Sequence, residues 1–293
     1  MTALIVTVLF KIAMQMSIGK LRKIVFFITL GEENYMGAVN SHVQLTKSLL
    51  RNFSHKTDEG EKVYYLDLSD SKIKEEKIKK LGTVYGYYSE DVEKFLSEEV
   101  ENKIGDVAKR FKDFSKQKRE QLTITSQNQD SIKMFFKYSL IRSKYIIREV
   151  NKASYFAEFL GGYTTNHIIS FSDDRVLDDF FENYEVDILL NNSNVEFVIP
   201  RNCFYSGMVT GKPTKYILPI NPRTAFVLIH KNELNCYIID GKHYYPQIND
   251  DAVANSFNKR ALFDEQHFNN TFVKLSEKKN WKICKIIFPH NYK

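Results

Sequence analysis

The sequence predicts an α+β fold, with a helix-rich first half and an antiparallel, β-rich second half that contains a late helix. Apolar residues recur at helical spacing in two long segments, residues 89–111 and 132–150. From residue 186 onward the apolar runs are short and rich in β-branched side chains, which is typical of strands. Hydrophobic residues form 43% of the 293-residue chain, so a packed core is expected and global disorder is excluded.

The first elements are predicted from short patterns. Leu45, Leu49 and Leu50 have the spacing of one face of a helix. Residues 62–68 combine β-branched and aromatic side chains and predict a strand. The alternating Lys and Glu of residues 69–80 predict a solvated, hairpin-like connection.

Two long helices follow in the prediction. Ser89 is the expected N-cap of the first, because Glu90 and Asp91 follow it in the first turn, where acidic side chains interact favourably with the helix dipole. The polar residues 115–130 predict a break, and the second helix is predicted over residues 132–150.

The second half is predicted to be mainly strands. The predicted strands are residues 186–190, 196–199, 216–218 and 225–230. A hairpin is expected on either side of Gly241-Lys242. Helical spacing over residues 250–270 predicts the late helix, and residues 282–288 predict a final strand.

Residues 1–35 differ from the rest of the chain in their pattern of apolar and basic residues. They hold two short apolar runs separated by basic residues, and neither run has the roughly 20 residues that a membrane span needs. The basic residues follow the first run instead of preceding it, unlike a signal peptide. The codons before Met36 can spell a purine-rich ribosome-binding site. We therefore expect an untranslated or non-native leader, a true start at Met36, and one α+β domain over residues 36–293, either undivided or with helical (36–165) and β-rich (186–293) subdomains.

Charge and motif content exclude several function classes. The net charge of +6 is spread over the chain and permits a polyanionic partner without requiring one. The three cysteines are far apart and form no C-x-x-C pair, which argues against a zinc site and fits a reducing cytoplasm. No P-loop, G-x-G-x-x-G, G-x-S-x-G or H-E-x-x-H motif is present. We expect a cytoplasmic protein without a metal ion, a cofactor or membrane attachment.

Several short blocks of the chain occur in a characteristic order. They are His42-Val43, Leu50-Arg51-Asn52-Phe53, Gly86-Tyr87-Tyr88-Ser89, Leu140-Ile141-Arg142-Ser143 and Phe197-Val198-Ile199-Pro200-Arg201-Asn202-Cys203. Together they resemble a widespread bacterial domain-of-unknown-function family, which opens with H-x-V-P and L-[RK]-N-[FW] and has a later F-I-T-S-D-N-P block. The resemblance covers about residues 40–275, and within the family it includes a resemblance to a lactococcal abortive infection protein.

The chain departs from the family pattern at two places. Gln44 stands where the opening block has Pro, and Pro200-Arg201 stand where the later block has Ser-Asp. A catalytic aspartate in that later block would be absent from this chain. The resemblance implies a phage-defence role without defining an activity.

The resemblance also singles out polar residues as site candidates. Those expected in catalysis are His42, Arg51, Asn52, Glu93, Glu101 and Arg142, and those expected to bind nucleic acid are Tyr88, Arg201 and Asn202. A histidine with a carboxylate can perform acid–base catalysis, and arginine binds phosphate in a bidentate manner. RNA supplies its own 2′-hydroxyl nucleophile, so this set needs no metal ion.

Structural roles for the same residues remain open at this point. His42 can be a helix-start or core histidine, Arg51-Asn52 a helix C-terminus, and Arg142 the partner of Glu93 or Glu101 in a buried ion pair. The spacing of Arg51 and His55 is too short for the R-x(4–6)-H motif of a helical ribonuclease family.

These observations predict a phage-defence (abortive infection) protein that cleaves RNA without a metal ion. RNA is the expected substrate, and a phage or host protein is the expected trigger. The alternative is a non-catalytic sensor or binding module that recognises a phage protein or nucleic acid.

Overall fold

The computed structural model describes residues 40–42, 45–67, 72–81, 83–85, 87–111, 124–142, 181–200, 203–209, 212–232, 238–239, 242–243, 245–267 and 272–275. The elements are β1 (Asn40–His42), α1 (Lys47–Arg51), β2 (His55–Thr57), β3 (Gly60–Asp67), β4 (Lys72–Lys77), β5 (Thr83–Tyr85), α2 (Glu90–Phe95), a π-helical segment (Leu96–Glu101), α3 (Asn102–Phe111), α4 (Ser126–Ile141), β6 (Tyr184–Asn191), β7 (Ile199–Pro200), β8 (Tyr205–Val209), β9 (Lys212–Asn221), β10 (Thr224–His230), β11 (Ile238–Ile239), β12 (Lys242–His243), β13 (Gln247–Ile248), α5 (Asp251–His267) and β14 (Phe272–Leu275). The predicted α+β fold is confirmed.

The strands form two five-stranded sheets and two small ribbons. Sheet A has the order β2-β3-β14-β7, with β4 also paired to β3, and all of its pairs are antiparallel. Sheet B has the order β13-β6-β10-β9-β8, in which only the β13–β6 pair is parallel. The ribbons are β1–β5 and β11–β12, and the second confirms the hairpin predicted around Gly241-Lys242.

Sheet A joins segments that are far apart in the chain. Strand β3 pairs with β14, whose other neighbour is β7, so strands from the two proposed subdomains share one sheet. Strand β4 replaces the connection predicted over residues 69–80. It reads Lys-Ile-Lys-Glu-Glu-Lys and has no fully buried residue, and such charge is typical of edge strands.

Sheet B separates two hydrophobic cores. Ile188, Phe226 and Leu228 pack into the larger core with the helices α1 to α4. Leu189 and Val227, which alternate with them along the same strands, pack into the smaller core with Leu66 of sheet A and Ala254 and Ala261 of α5. Burial on both faces explains why these strands read as continuous apolar runs in the sequence.

One long helix contains Glu93 and Glu101, two of the residues expected in catalysis. Helix α2, the π-helical segment and α3 are continuous from Glu90 to Phe111, as the apolar stripe predicts. Ser89 has N-cap backbone angles, but its side chain makes no capping hydrogen bond. The π-helical turns in the middle were not predicted. Such insertions shift the register of the side chains that follow, and they are frequent at functional sites.

Two predicted boundaries were wrong, and several short strands were not predicted. Helix α4 begins at Ser126 instead of residue 132, because Thr125 caps it by accepting the Asn128 N–H at 3.3 Å, so the polar stretch is partly its first turn. Residues 196–198 are not a strand, because Asn258 of α5 binds the Val198 N–H and the Glu196 carbonyl in place of a strand partner. The sequence analysis did not predict the strands β1, β2, β5, β8, β13 and β14. Residues 1–35, 143–150 and 282–288 lie outside the described residues.

Gly105 sets the approach of α1 to α3. A Cβ at this position would lie 2.9 Å from the Ser48 Cβ. We expect Gly105→Ala to lower the free energy of unfolding by about 1–3 kcal/mol, because overpacking forces the two helices apart. Urea denaturation measures the loss. Ser48→Gly should relieve part of it, and the exposed Asp106→Ala on the same helix should leave stability almost unchanged. A fully tolerated Gly105→Ala would contradict the close approach.

Candidate functional site

The best-defined polar site is an ion pair between the long helix and α4. Arg142, which follows α4 as its C-cap, has a side chain with 0% exposure, and its Nη1 donates to Glu101 Oε1 at 2.8 Å. Glu101 ends the π-helical segment, and its side chain is 21% exposed. The Arg142 Nε also donates to the Tyr138 carbonyl at 3.2 Å. The ion pair with Glu101, which the sequence analysis left open as an alternative, is confirmed.

Four more residues act electrostatically on this pair. Tyr88 and Glu93 lie within electrostatic range of Glu101 or Arg142, as do Lys47 of α1 and Cys203. The structure therefore brings together four site candidates from two separate blocks of the chain, namely Tyr88, Glu93, Glu101 and Arg142. We call this set, with Lys47, the Glu101 site.

Burial controls the protonation of the site. It raises the pKa of Glu101 above the ordinary range for a carboxyl group, and the nearby Glu93 adds to this, while Arg142 and Lys47 oppose it. Burial also raises the pKa of Tyr88, whose side chain is 3% exposed. The Tyr88 hydroxyl makes no hydrogen bond within the described residues. A carboxyl group with a raised pKa is suited to exchanging protons nearer neutral pH.

Helix α1 places one lysine, Lys47, within electrostatic range of this carboxylate. Lys47 and Arg51 are one turn apart and both are exposed, so they share one face of the helix. The Arg51 Nε lies 3.4 Å from Glu61 Oε2, but this pair is exposed and therefore weak. Asn52 ends the helix, and its backbone N–H donates to the carbonyls of Leu49 and Leu50. This agrees with the alternative that Arg51-Asn52 form a helix C-terminus.

Three candidates remain without a described side chain. His42 ends β1 opposite Thr83 of β5, and only its backbone is described. Arg201 and Asn202 lie outside the described residues. Their neighbour Cys203 has a left-handed φ of 70° and is buried beside Arg142, which brings the end of the later sequence block to the Glu101 site.

A second polar cluster, on sheet A, was missed by the sequence analysis. His55 Nε2 lies 2.8 Å from Glu75 Oε1, and the imidazole stacks on Tyr64 with ring centroids 4.6 Å apart. Lys62 Nζ is 3.6 Å from the second carboxylate oxygen of Glu75. Only strand pairing assembles this cluster, through His55 opposite Lys62 and Tyr64 opposite Glu75, so no local spacing could have indicated it.

The sheet A cluster predicts a pH dependence of stability. The hydrogen bond with His55 is the main cause that lowers the pKa of Glu75, while burial opposes it. The folded state then binds the Glu75 proton more weakly than the unfolded state does. We expect the stabilisation to be complete above the ordinary pKa of a glutamate and to disappear as the pH falls through the lowered value.

Urea denaturation over the acidic range tests this expectation. Glu75→Gln should flatten the decrease of stability in acid, and His55→Phe should do so in large part. Tyr64→Phe, which removes a lesser hydrogen bond to the same carboxylate, should have a smaller effect. An acid profile that Glu75→Gln leaves unchanged would show that this carboxylate is not linked to folding.

The described residues give two further results. Among them, no group of three or more His, Cys, Asp or Glu side chains is placed to hold a metal ion. No helix within the same part of the chain has the length and apolar character required to cross a membrane.

Comparisons with protein-family models, with curated proteins and with solved structures give no match to this chain.

Proposed function

We propose that this chain is a cytoplasmic phage-defence protein that cleaves RNA without a metal ion, at the Glu101 site. The observation that carries the proposal is the partly exposed Glu101 carboxylate, which buried Arg142 holds in place and whose pKa burial raises, next to a basic face of α1. This arrangement combines a proton acceptor with cations that suit a phosphate group.

The proposed reaction is an attack of a ribose 2′-hydroxyl on the adjacent phosphate. Glu101 takes the proton of the 2′-hydroxyl as the O2′–P bond forms. Lys47 and Arg51 bind the phosphate and stabilise its developing charge. The P–O5′ bond breaks, and the leaving oxygen takes a proton from His42. The products are a 2′,3′-cyclic phosphate and a free 5′-hydroxyl.

Arg142 has a positioning role in this proposal. Its side chain is fully buried, so a phosphate cannot reach the guanidinium in this conformation. It fixes the orientation of Glu101 through the 2.8 Å hydrogen bond. Tyr88 is buried within electrostatic range of the carboxylate, and Glu93 adds negative charge near it.

The experiment is an RNA cleavage assay on the purified full chain in EDTA. We expect wild-type protein to release cyclic-phosphate ends. Lys47→Ala and Arg51→Ala should raise KM several-fold and weaken its salt dependence, because each removes a phosphate contact. His42→Ala should lower kcat. The matched control is Lys103→Ala, an exposed lysine of α3 that is paired to Glu99. Failure of wild-type protein to cleave RNA in EDTA would refute metal-free cleavage.

The complete burial of Arg142 favours one second candidate, a non-catalytic binding module. In that case the Arg142–Glu101 pair would only join two helices, and the basic face of α1 would bind nucleic acid without turnover. Tight RNA binding without cleavage, with or without Mg²⁺ or Mn²⁺, would support this candidate. A pull-down from infected cells would then identify the phage protein or nucleic acid that it recognises.

A further inference from the structure

An open cleft of about 470 Å³ lies between the long helix and α4, outside the Glu101 site. Phe95 and Glu99 line it from the long helix, Tyr138 and two lysines line it from α4, and Phe181 contributes from the segment before β6. The volume falls within the roughly 300–1,000 Å³ of small-molecule sites. The cleft and the Glu101 site share the same two helices.

Aromatic rings form much of its wall. Phe95 and Tyr138 meet edge to face with ring centroids 5.1 Å apart, and Phe181 is buried beside them. Phe95 is only partly buried, whereas Tyr138 and Phe181 are buried and contribute ring edges, so the wall offers apolar contacts to a flat guest. Nucleic-acid bases are flat guests that aromatic side chains contact in RNA-binding proteins.

The charges of the cleft disfavour an anionic group in its interior. Three carboxylates line it, those of Glu99, Asp130 and Glu182, against the two lysines Lys133 and Lys137, so a phosphate group deep inside the cleft would be repelled. The Lys137 Nζ lies 5.7 Å from the Tyr138 ring centroid, so this ring already has a cationic partner. An uncharged aromatic guest fits best.

Asp130 and Lys133 indicate which nucleic-acid base the cleft suits. They lie one turn apart on α4, and neither forms an ion pair within the described residues. A carboxylate offers two acceptor oxygens and no donor. Guanine presents two adjacent donors, N1–H and N2–H, on its Watson–Crick edge. Adenine, cytosine and uracil each place an acceptor beside their donor.

We propose that this cleft binds a guanine base of RNA. Asp130 accepts the N1–H and N2–H hydrogen bonds, the aromatic wall contacts the purine ring, and Lys133 interacts with the phosphate at the mouth of the cleft. As a specificity subsite for cleavage, this assignment rests on the proposed function.

The test is calorimetric binding of 5′-GMP, 5′-AMP, 5′-CMP and 5′-UMP to the full chain in EDTA. We expect 5′-GMP to bind about ten-fold more tightly than the others, because a bidentate base contact is worth that much or more. Asp130→Asn should remove this preference. Lys133→Ala should weaken 5′-GMP but leave guanosine unaffected. The control is Asp106→Asn, an exposed aspartate on α3 that does not line the cleft.

Equal binding of the four nucleotides, or an unchanged preference in Asp130→Asn, would overturn the proposal. A 2′-O-methylated ApGpA, which cannot be cleaved, should bind more tightly than ApApA of the same chemistry. Binding of free GMP or GTP without binding of ApGpA would overturn the assignment to RNA.

Binding of these probes is independent of cleavage. Guanine preference without RNA cleavage would therefore refute the proposed function but leave the guanine assignment of the cleft intact. Cleavage without guanine preference would refute the guanine assignment but leave the proposed function intact.

Discussion

Glu101→Gln is expected to lower kcat for RNA cleavage by about 10²–10⁴-fold, the usual contribution of a general base. Glutamine keeps the size of the side chain and can still accept a hydrogen bond from Arg142, but it cannot take a proton. The assay uses labelled RNA in EDTA, with circular dichroism to verify that the variant is folded. Glu98→Gln is the matched control, since Glu98 lies on the same π-helical segment, is exposed and does not line the cleft.

The pH profile separates a catalytic role of Glu101 from a structural one. A base must be ionised to accept a proton, so kcat/KM of wild-type protein should rise with pH through the raised pKa of Glu101. That limb should be missing from the residual activity of Glu101→Gln. A folded Glu101→Gln protein with nearly wild-type kcat would show that this carboxylate is not the base.

Arg142→Met is expected to lower the free energy of unfolding by about 3–5 kcal/mol, because it leaves a largely buried carboxylate without its counter-charge. The exposed fractions are 0% for Arg142 and 21% for Glu101, so water can replace little of the lost interaction. Urea denaturation at neutral pH measures the effect. The double variant Arg142→Met/Glu101→Leu should recover much of the loss, since no unpaired charge then remains in the core.

The loss in Arg142→Met should also grow with pH. Without the arginine, the pKa of Glu101 rises further above its value in the unfolded chain, so the folded state holds the proton more tightly. Stability is then greatest at low pH and decreases as the pH rises between the unfolded and folded pKa values. If Arg142→Met lowers the free energy of unfolding by less than about 1 kcal/mol at neutral pH, the pair has the strength of an exposed ion pair and the prediction is wrong.

Local sequence patterns predicted the helices and the central strands of sheet B. The apolar stripe from Val92 to Phe111 predicts the long helix, because one face of it is buried along its whole length. The strands β6 and β10 are readable because burial on both faces requires continuous apolar runs. The boundaries were harder, since Thr125 and Asn258 act through one or two hydrogen bonds each, which leave no periodic pattern in the sequence.

Tertiary structure alone decided how these elements meet. Strand β3 pairs with β14 from the other end of the described chain. The register of this pair depends on which face of each strand is buried in the folded protein. The same holds for the His55–Glu75 contact, which exists only because β2, β3 and β4 are aligned.

The Glu101 site shows both contributions. The sequence analysis singled out Glu101 and Arg142 through a resemblance of short blocks, and it left open whether the arginine binds phosphate or a carboxylate. The packing of α4 against the long helix decided for the carboxylate, because it removed the guanidinium from water and placed Glu101 within hydrogen-bonding distance. A buried charge requires a partner, and only the folded chain determines which charge that is.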